Sequence, residues 1–100
     1  RILVDAFRPL PPEWKHGAQE TIFFLSHFHG DHYGGLTREW SKGVIHCSKI
    51  TGNLVRNIIG VEERYINRMP FETKIQVSHD VGGSSVFVTL INANHCPGAA

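Results

Sequence analysis

Residues 25–36 read Leu25-Ser26-His27-Phe28-His29-Gly30-Asp31-His32-Tyr33-Gly34-Gly35-Leu36, directly after the apolar run Ile22-Phe23-Phe24. His27, His29, Asp31 and His32 fall within six positions, and imidazole and carboxylate are what zinc and its divalent neighbours bind. Packing four such groups in an apolar core would leave polar atoms to be satisfied at considerable cost. If Phe23–His27 is extended and His29 continues that geometry, alternate side chains share a face, so His27 and His29 reach one metal. Gly30 then lets the backbone turn sharply. Asp31 and His32 open a short helix, running to about Arg38, and are re-aimed toward a second metal. A helix start there also favours an incoming anion. A lone histidine is more often a surface or satisfied core residue than a ligand. Three histidines and an aspartate at the mouth of a strand–turn–helix unit favour the metal.

At 100 residues the chain suits a single domain. Ten basic against nine acidic residues leave a net charge of +1, so composition carries no basic footprint of nucleic-acid binding. Any such substrate has to be argued from elsewhere. Seven histidines against one methionine direct attention to metal or acid–base chemistry. The two cysteines, Cys47 and Cys96, make no disulfide framework. Each is read as a small buried hydrophobe in a reducing compartment. No apolar run approaches membrane-spanning length, so no membrane partner is expected. The chain opens on Arg1 and closes on Gly98-Ala99-Ala100, and the expectation is a segment cut from something longer. A site assembled from distant ligands would then be incomplete within it.

Taken in order, Ile2-Leu3-Val4 reads as a strand ending at Asp5. Asp5 is either a surface residue at a strand end or a group that orients a metal ligand, and spacing does not decide between them. Phe7 to Gly17, with Pro9, Pro11 and Pro12, is a loop in which Lys15 and His16 are solvated. Thr21–Ser26 is a strand, apolar enough to be buried on both faces. Trp40 is expected to pack on the fold. Val44-Ile45-His46-Cys47 is a third strand, and Ser48 caps a helix carrying Ile50, Leu54, Val55, Ile58 and Ile59 up to Gly60. That helix is expected to lay one apolar stripe on the sheet and to carry little function. Tyr65-Ile66 is a short strand before Pro70. Lys74–Val77 and Ser84–Ile91 are two strands joined around Gly82-Gly83, with His79 and Asp80 exposed near the turn. The order indicates a mixed α/β layered fold.

The last strand delivers Asn92-Ala93-Asn94-His95-Cys96-Pro97-Gly98. Taken with His27 and His29, His95 completes a three-histidine set for a catalytic zinc, leaving one position for water. Asp31 and His32 are a partial set for a second ion. At this point a resemblance emerges. His27-Phe28-His29-Gly30-Asp31-His32 is similar to the signature of the metallo-β-lactamase superfamily. Val4-Asp5-Ala6-Phe7, Phe24 to Tyr33, Cys47-Ser48-Lys49-Ile50-Thr51-Gly52-Asn53-Leu54 and Ala93-Asn94-His95-Cys96-Pro97-Gly98-Ala99 narrow it. Together they resemble the DNA cross-link repair nucleases, in the β-CASP branch that also contains Artemis and Apollo. The likeness runs along nearly the whole chain, and the His-Cys-Pro-Gly element is its most selective part.

The resemblance implies a four-layer αββα domain, of which residues 1–100 are the first part, truncated on the C-terminal side. It implies metal-dependent cleavage of DNA phosphodiester bonds, as a 5′-to-3′ exonuclease on 5′-phosphorylated or damaged DNA. The setting is interstrand cross-link or double-strand break repair in the nucleus. By the same resemblance His27, His29 and His95 match ligands of a first Zn2+, or another divalent ion. Asp31 and His32 match ligands of a second ion and take part in catalysis, and Asp5 matches a supporting aspartate. Asn92 stands where the family usually carries an acid, and the chain ends before the metal-bridging aspartate and the β-CASP insert. Two alternatives remain beside this reading. One is another hydrolase of the superfamily, acting on RNA, an ester, a thioester or a lactam. The other is a catalytically silent metal-binding module fused to a different repair activity.

Overall fold

Ile22–Phe24 (β2) is buried at every position, because it is an interior strand with apolar layers on both faces. The computed structural model describes residues 2–9, 21–78, 86–93 and 95–100. Ile2–Val4 (β1), Ile45–Ser48 (β3) and Ile66–Met69 (β4) complete a four-stranded sheet in the order β1-β2-β3-β4. All of its pairings are parallel, with Leu3 beside Phe23, Phe23 beside Ile45 and Ile45 beside Ile66. Parallel neighbours need crossovers. Gly30–Tyr33 (α1) lies in the one between β2 and β3, and Lys49–Leu54 (α2) in the one between β3 and β4. Lys74–Ser78 (β5) and Val86–Thr89 (β6) form a separate antiparallel pair, as the hairpin reading expects.

Alternation along β2 divides the core in two. Phe23 and Leu25 join Phe7, Trp40, Ile45 and Val55 on one face, while Ile22 and Phe24 join Met69 and Leu90 on the other. The second cluster also takes in Ile75, Val77, Val86 and Val88, so it lies between the parallel sheet and the β5–β6 pair. Mixed helices and strands around a parallel sheet make the chain α/β, as expected. Trp40 belongs to this core: its ring meets Phe23 edge-on at 5.0 Å and its indole N–H donates to the Gly43 carbonyl at 2.7 Å.

Four elements depart from expectation. The first helix stops at Tyr33 instead of about Arg38. Gly35 has φ +100, and a Cβ there would sit 2.6 Å from the Phe7 carbonyl oxygen, so the chain leaves the helix to close on the Phe7 loop. The helix after Ser48 is capped as expected, with Ser48 Oγ accepting from Thr51 N–H, and it stops at Gly60 with φ 90. Its second half, Val55–Ile59, is wound as a π turn, which breaks the 3.6-residue phase. The buried positions are Thr51, Gly52 and Val55, while Ile50, before the π turn, and Ile58, within it, are 46% and 65% exposed. Tyr65 ends a 3-10 turn, Glu63–Tyr65, and the strand begins only at Ile66. The last strand likewise ends at Thr89, and Leu90 makes a single bridge to Phe71. Lys15, His16, His79, Asp80 and the Gly82-Gly83 turn lie outside the described residues. Among those described, no helix is long and apolar enough to cross a membrane.

Candidate metal centre

The parallel sheet sets the location. Leu25 N–H donates to the His46 carbonyl and Asp5 N–H to the Phe24 carbonyl, so the ends of β1, β2 and β3 lie side by side, β1 leading into Asp5 and β2 into residues 26–29. The carboxyl edge of a parallel sheet is where α/β folds gather their reactive groups. His29 N–H donates back to the His27 carbonyl at 3.1 Å, and the His29 carbonyl accepts from His32 and Tyr33 N–H. This local folding places three imidazoles of the motif at one rim.

His95 comes from the far end of the chain to meet them. Ala100 N–H donates to the Ser26 carbonyl at 2.8 Å, and Ala93 N–H to the Ala99 carbonyl at 3.1 Å. The loop is pinned at Gly98, whose carbonyl accepts from Ser48 Oγ at 2.6 Å and Thr51 Oγ1 at 3.1 Å. Gly98 has φ +84, and a Cβ there would lie 3.0 Å from both hydroxyl oxygens and 2.9 Å from the Ile50 Cβ. Only glycine fits that contact. The start of α2, read from sequence as carrying little function, therefore holds the His95 loop.

The resulting ring centroids are 4.6 Å apart for His27 and His29, 5.0 Å for His27 and His95, and 5.1 Å for His29 and His95. One nitrogen from each lies within 4.8 Å of the other two. Two donors on a tetrahedral zinc, each bonded at about 2.0–2.1 Å, stand about 3.4 Å apart. Small ring rotations close that gap, so the donor set fits a zinc-like ion. Its rim is open, with His29 and His95 exposed and His27 half-buried.

The His32 ring lies 3.9 Å from that of His27, centroid to centroid and tilted 49° to it, and meets two carboxylates. Its Nε2 is 3.4 Å from Asp31 Oδ2, and Asp31 is 81% exposed. Its Nδ1 is 2.8 Å from Asp5 Oδ2. Asp5, His27 and His32 also lie within reach of one another as a possible donor group. Asp5, however, already accepts from Ser26 N–H at 2.7 Å and Ser26 Oγ at 2.6 Å, and Ser26 Oγ meets His27 Nδ1 at 2.8 Å. These are hydrogen-bond spacings, and they make Asp5 a support under the imidazoles. Its backbone is left-handed, with φ 55, a conformation that aspartate tolerates better than most residues.

Loss of surrounding water, then the neighbouring His32, His29 and His95, holds the pKa of His27 below its ordinary 6.5; Asp5 opposes this more weakly. The neutral ring so favoured is the form that binds metal. Burial pushes the Cys47 thiol up to about 12, which makes it inert. Cys96 is half-buried, more open than the sequence reading expected. Ser26 and Thr51 are site-building residues that spacing alone did not single out, and Ser48 was singled out only as a helix cap. Beyond that cap, their signal was membership of the segments that carry the resemblance.

No family model matches the chain. The DNA cross-link repair protein pso2/snm1 of Schizosaccharomyces pombe is 49% identical over 99 residues, which cover 97% of this chain and 15% of that protein. DNA ligase 6 of Arabidopsis thaliana is 45% identical over 98 residues, 98% of this chain and 6% of its own length. The 5′ exonuclease Apollo of Danio rerio is 39% identical over 79 residues, 78% of this chain and 14% of its own. The chain thus spans only a small part of the length of each of these relatives. Matches of 39–49% identity over most of the chain make it a homologue of one segment of longer proteins named DNA cross-link repair protein and 5′ exonuclease Apollo.

Proposed function

We propose that the protein carrying this segment is a metal-dependent DNA nuclease of the metallo-β-lactamase kind. It acts in the nucleus as a 5′-to-3′ exonuclease on 5′-phosphorylated or damaged DNA during cross-link or double-strand break repair. Residues 1–100 are the first part of its catalytic domain. The observation that carries the reading is the convergence of His27, His29 and His95, from two remote stretches, on one rim. Kinship with a protein named a 5′ exonuclease supports the choice of reaction.

In this reading His27, His29 and His95 hold a first Zn2+, and Asp31 and His32 contribute to a second site. Zinc supplies Lewis-acid polarisation of a phosphoryl oxygen and an acidic water near neutral pH. The chain's own share is orientation. Asp5 and Ser26 hold the His27 and His32 rings, and Ser48 with Thr51 anchors the loop bearing His95. The open rim leaves room for a polymer, which an enclosed pocket would not.

The 45% identity to a segment of a DNA ligase favours one second reading, a metal-binding module attached to a different repair activity. Incubating the zinc-loaded intact protein with 5′-phosphorylated DNA, RNA and a lactam chromophore separates the possibilities. Loss of 5′ nucleotides from DNA, abolished by His29→Ala, is the expected result. Turnover of only RNA or lactam would move the protein elsewhere in the superfamily, and zinc binding without any turnover would favour the module.

A further inference from the structure

Building on the metal reading, we propose that Ser26 is a positioning residue whose hydroxyl fixes which ring nitrogen of His27 carries the proton, leaving Nε2 bare for a metal. Ser26 Oγ has one proton and two contacts, Asp5 Oδ2 at 2.6 Å and His27 Nδ1 at 2.8 Å. An ionised carboxylate only accepts, and two oxygens 2.6 Å apart without a proton between them repel, so the hydroxyl proton points at Asp5. The remaining contact is then made by a proton on His27 Nδ1. A neutral imidazole carries one proton, so the lone pair is on Nε2.

His32 meets the same carboxylate oxygen without an intermediary, Nδ1 to Oδ2 at 2.8 Å. It carries a proton on the same nitrogen, Nδ1, while its Nε2 lies 3.4 Å from Asp31 Oδ2. One carboxylate oxygen therefore governs two rings, directly for His32 and through a hydroxyl for His27. Ser26 N–H fixes the carboxylate from the other side, donating to Oδ1 at 2.7 Å. Partners of this kind orient metal-bound histidines and set their tautomer. Here a single aspartate does so for groups on both sides of His27.

The test uses intact protein labelled with 15N-histidine, free of metal, at a pH where the rings are neutral. In the wild type, His27 and His32 should both give spectra of the Nδ1–H tautomer. In Ser26→Ala, His32 should stay in that form while His27 becomes a mixture, and zinc affinity, read by competition with a chelating dye, should fall about 10–100-fold. Ser26→Thr should restore both readouts. An Nε2–H form of His27 in the wild type, or an unchanged tautomer and zinc affinity in Ser26→Ala, overturns the proposal. If Ser26→Ala does not fold, Ser26→Cys takes its place with the same outcomes. A protein with the expected tautomers that binds no zinc would overturn the metal reading and leave the relay intact.

Discussion

His29 and Asp31 are exposed, so their removal separates chemistry from folding. Exposed substitutions away from special features usually shift stability by no more than about 0.5 kcal/mol. His29→Ala in the intact protein should therefore leave the metal-free melting temperature within a few degrees, abolish nuclease activity and weaken zinc binding. Asp31→Ala should do the same to activity with less effect on the first ion. Wild-type rates in both variants would refute the roles proposed. His27 differs because its pKa is held below 6.5 mainly by lost hydration. Above pH 6.5 folded and unfolded chains both carry it neutral, and it contributes no pH dependence. As pH falls below 6.5 the unfolded chain takes up a proton that the folded one resists, so stability drops until the lower folded pKa is passed. Urea melts of metal-free protein across that window should show the decline, and His27→Gln should flatten it. His27, His29, Asp31 and His32 could be picked out from spacing alone, since they fall within six positions. Ser26 could not, because its importance lies in a carboxylate 21 positions away.

At the scale of elements, the start of α2 is a cap and a clamp at once. Ser48 Oγ accepts from Thr51 N–H at 3.3 Å, and both hydroxyls face the Gly98 carbonyl. Thr51→Val keeps the shape and removes one of the two donors. A lost buried hydrogen bond of this sort costs about 1–3 kcal/mol, so a shift of that size in urea denaturation is expected. A companion loss of zinc affinity should follow, because the loop that Gly98 anchors is the one bearing His95. Stability loss with unchanged zinc affinity would show that the clamp serves the fold alone. An unbroken apolar run made β2 readable as a strand buried on both faces, and Ser48 and Gly60 marked their helix correctly. The stripe was misjudged at both ends: Ile58 lies in the π turn at Val55–Ile59, which no 3.6-residue pattern anticipates, and Ile50 is exposed because the first turn packs through Thr51 and Gly52 instead. The clamp was illegible for another reason: Ser48 and Gly98 are 50 positions apart, and only the fold brings them together.

Over the whole molecule, parallel pairing turns the carboxyl ends of β1, β2 and β3 toward one edge. Asp5, His27 and Ser48 are therefore neighbours of the same rim, although 43 residues separate the first and last. An antiparallel arrangement would have sent alternate ends to opposite edges and scattered these groups. The rim is not equally furnished for two ions. Among the described residues, the first set has three imidazoles within 4.8 Å of one another. The second has one nitrogen, on His32, and one carboxylate, on Asp31, because Asp5 is already engaged with Ser26 and His32. Three neutral or anionic donors are what zinc sites require at minimum, so the two sets should differ widely in affinity. Titrating the metal-free 100-residue chain with zinc, followed by calorimetry, should give one tighter equivalent, itself modest in affinity, and a second that is clearly weaker. His95→Ala should remove the tighter equivalent, and His32→Ala the weaker one. Two equally tight equivalents would mean that Asp5 or another group joins the second set, and that the hydrogen bonds it makes here give way to a metal.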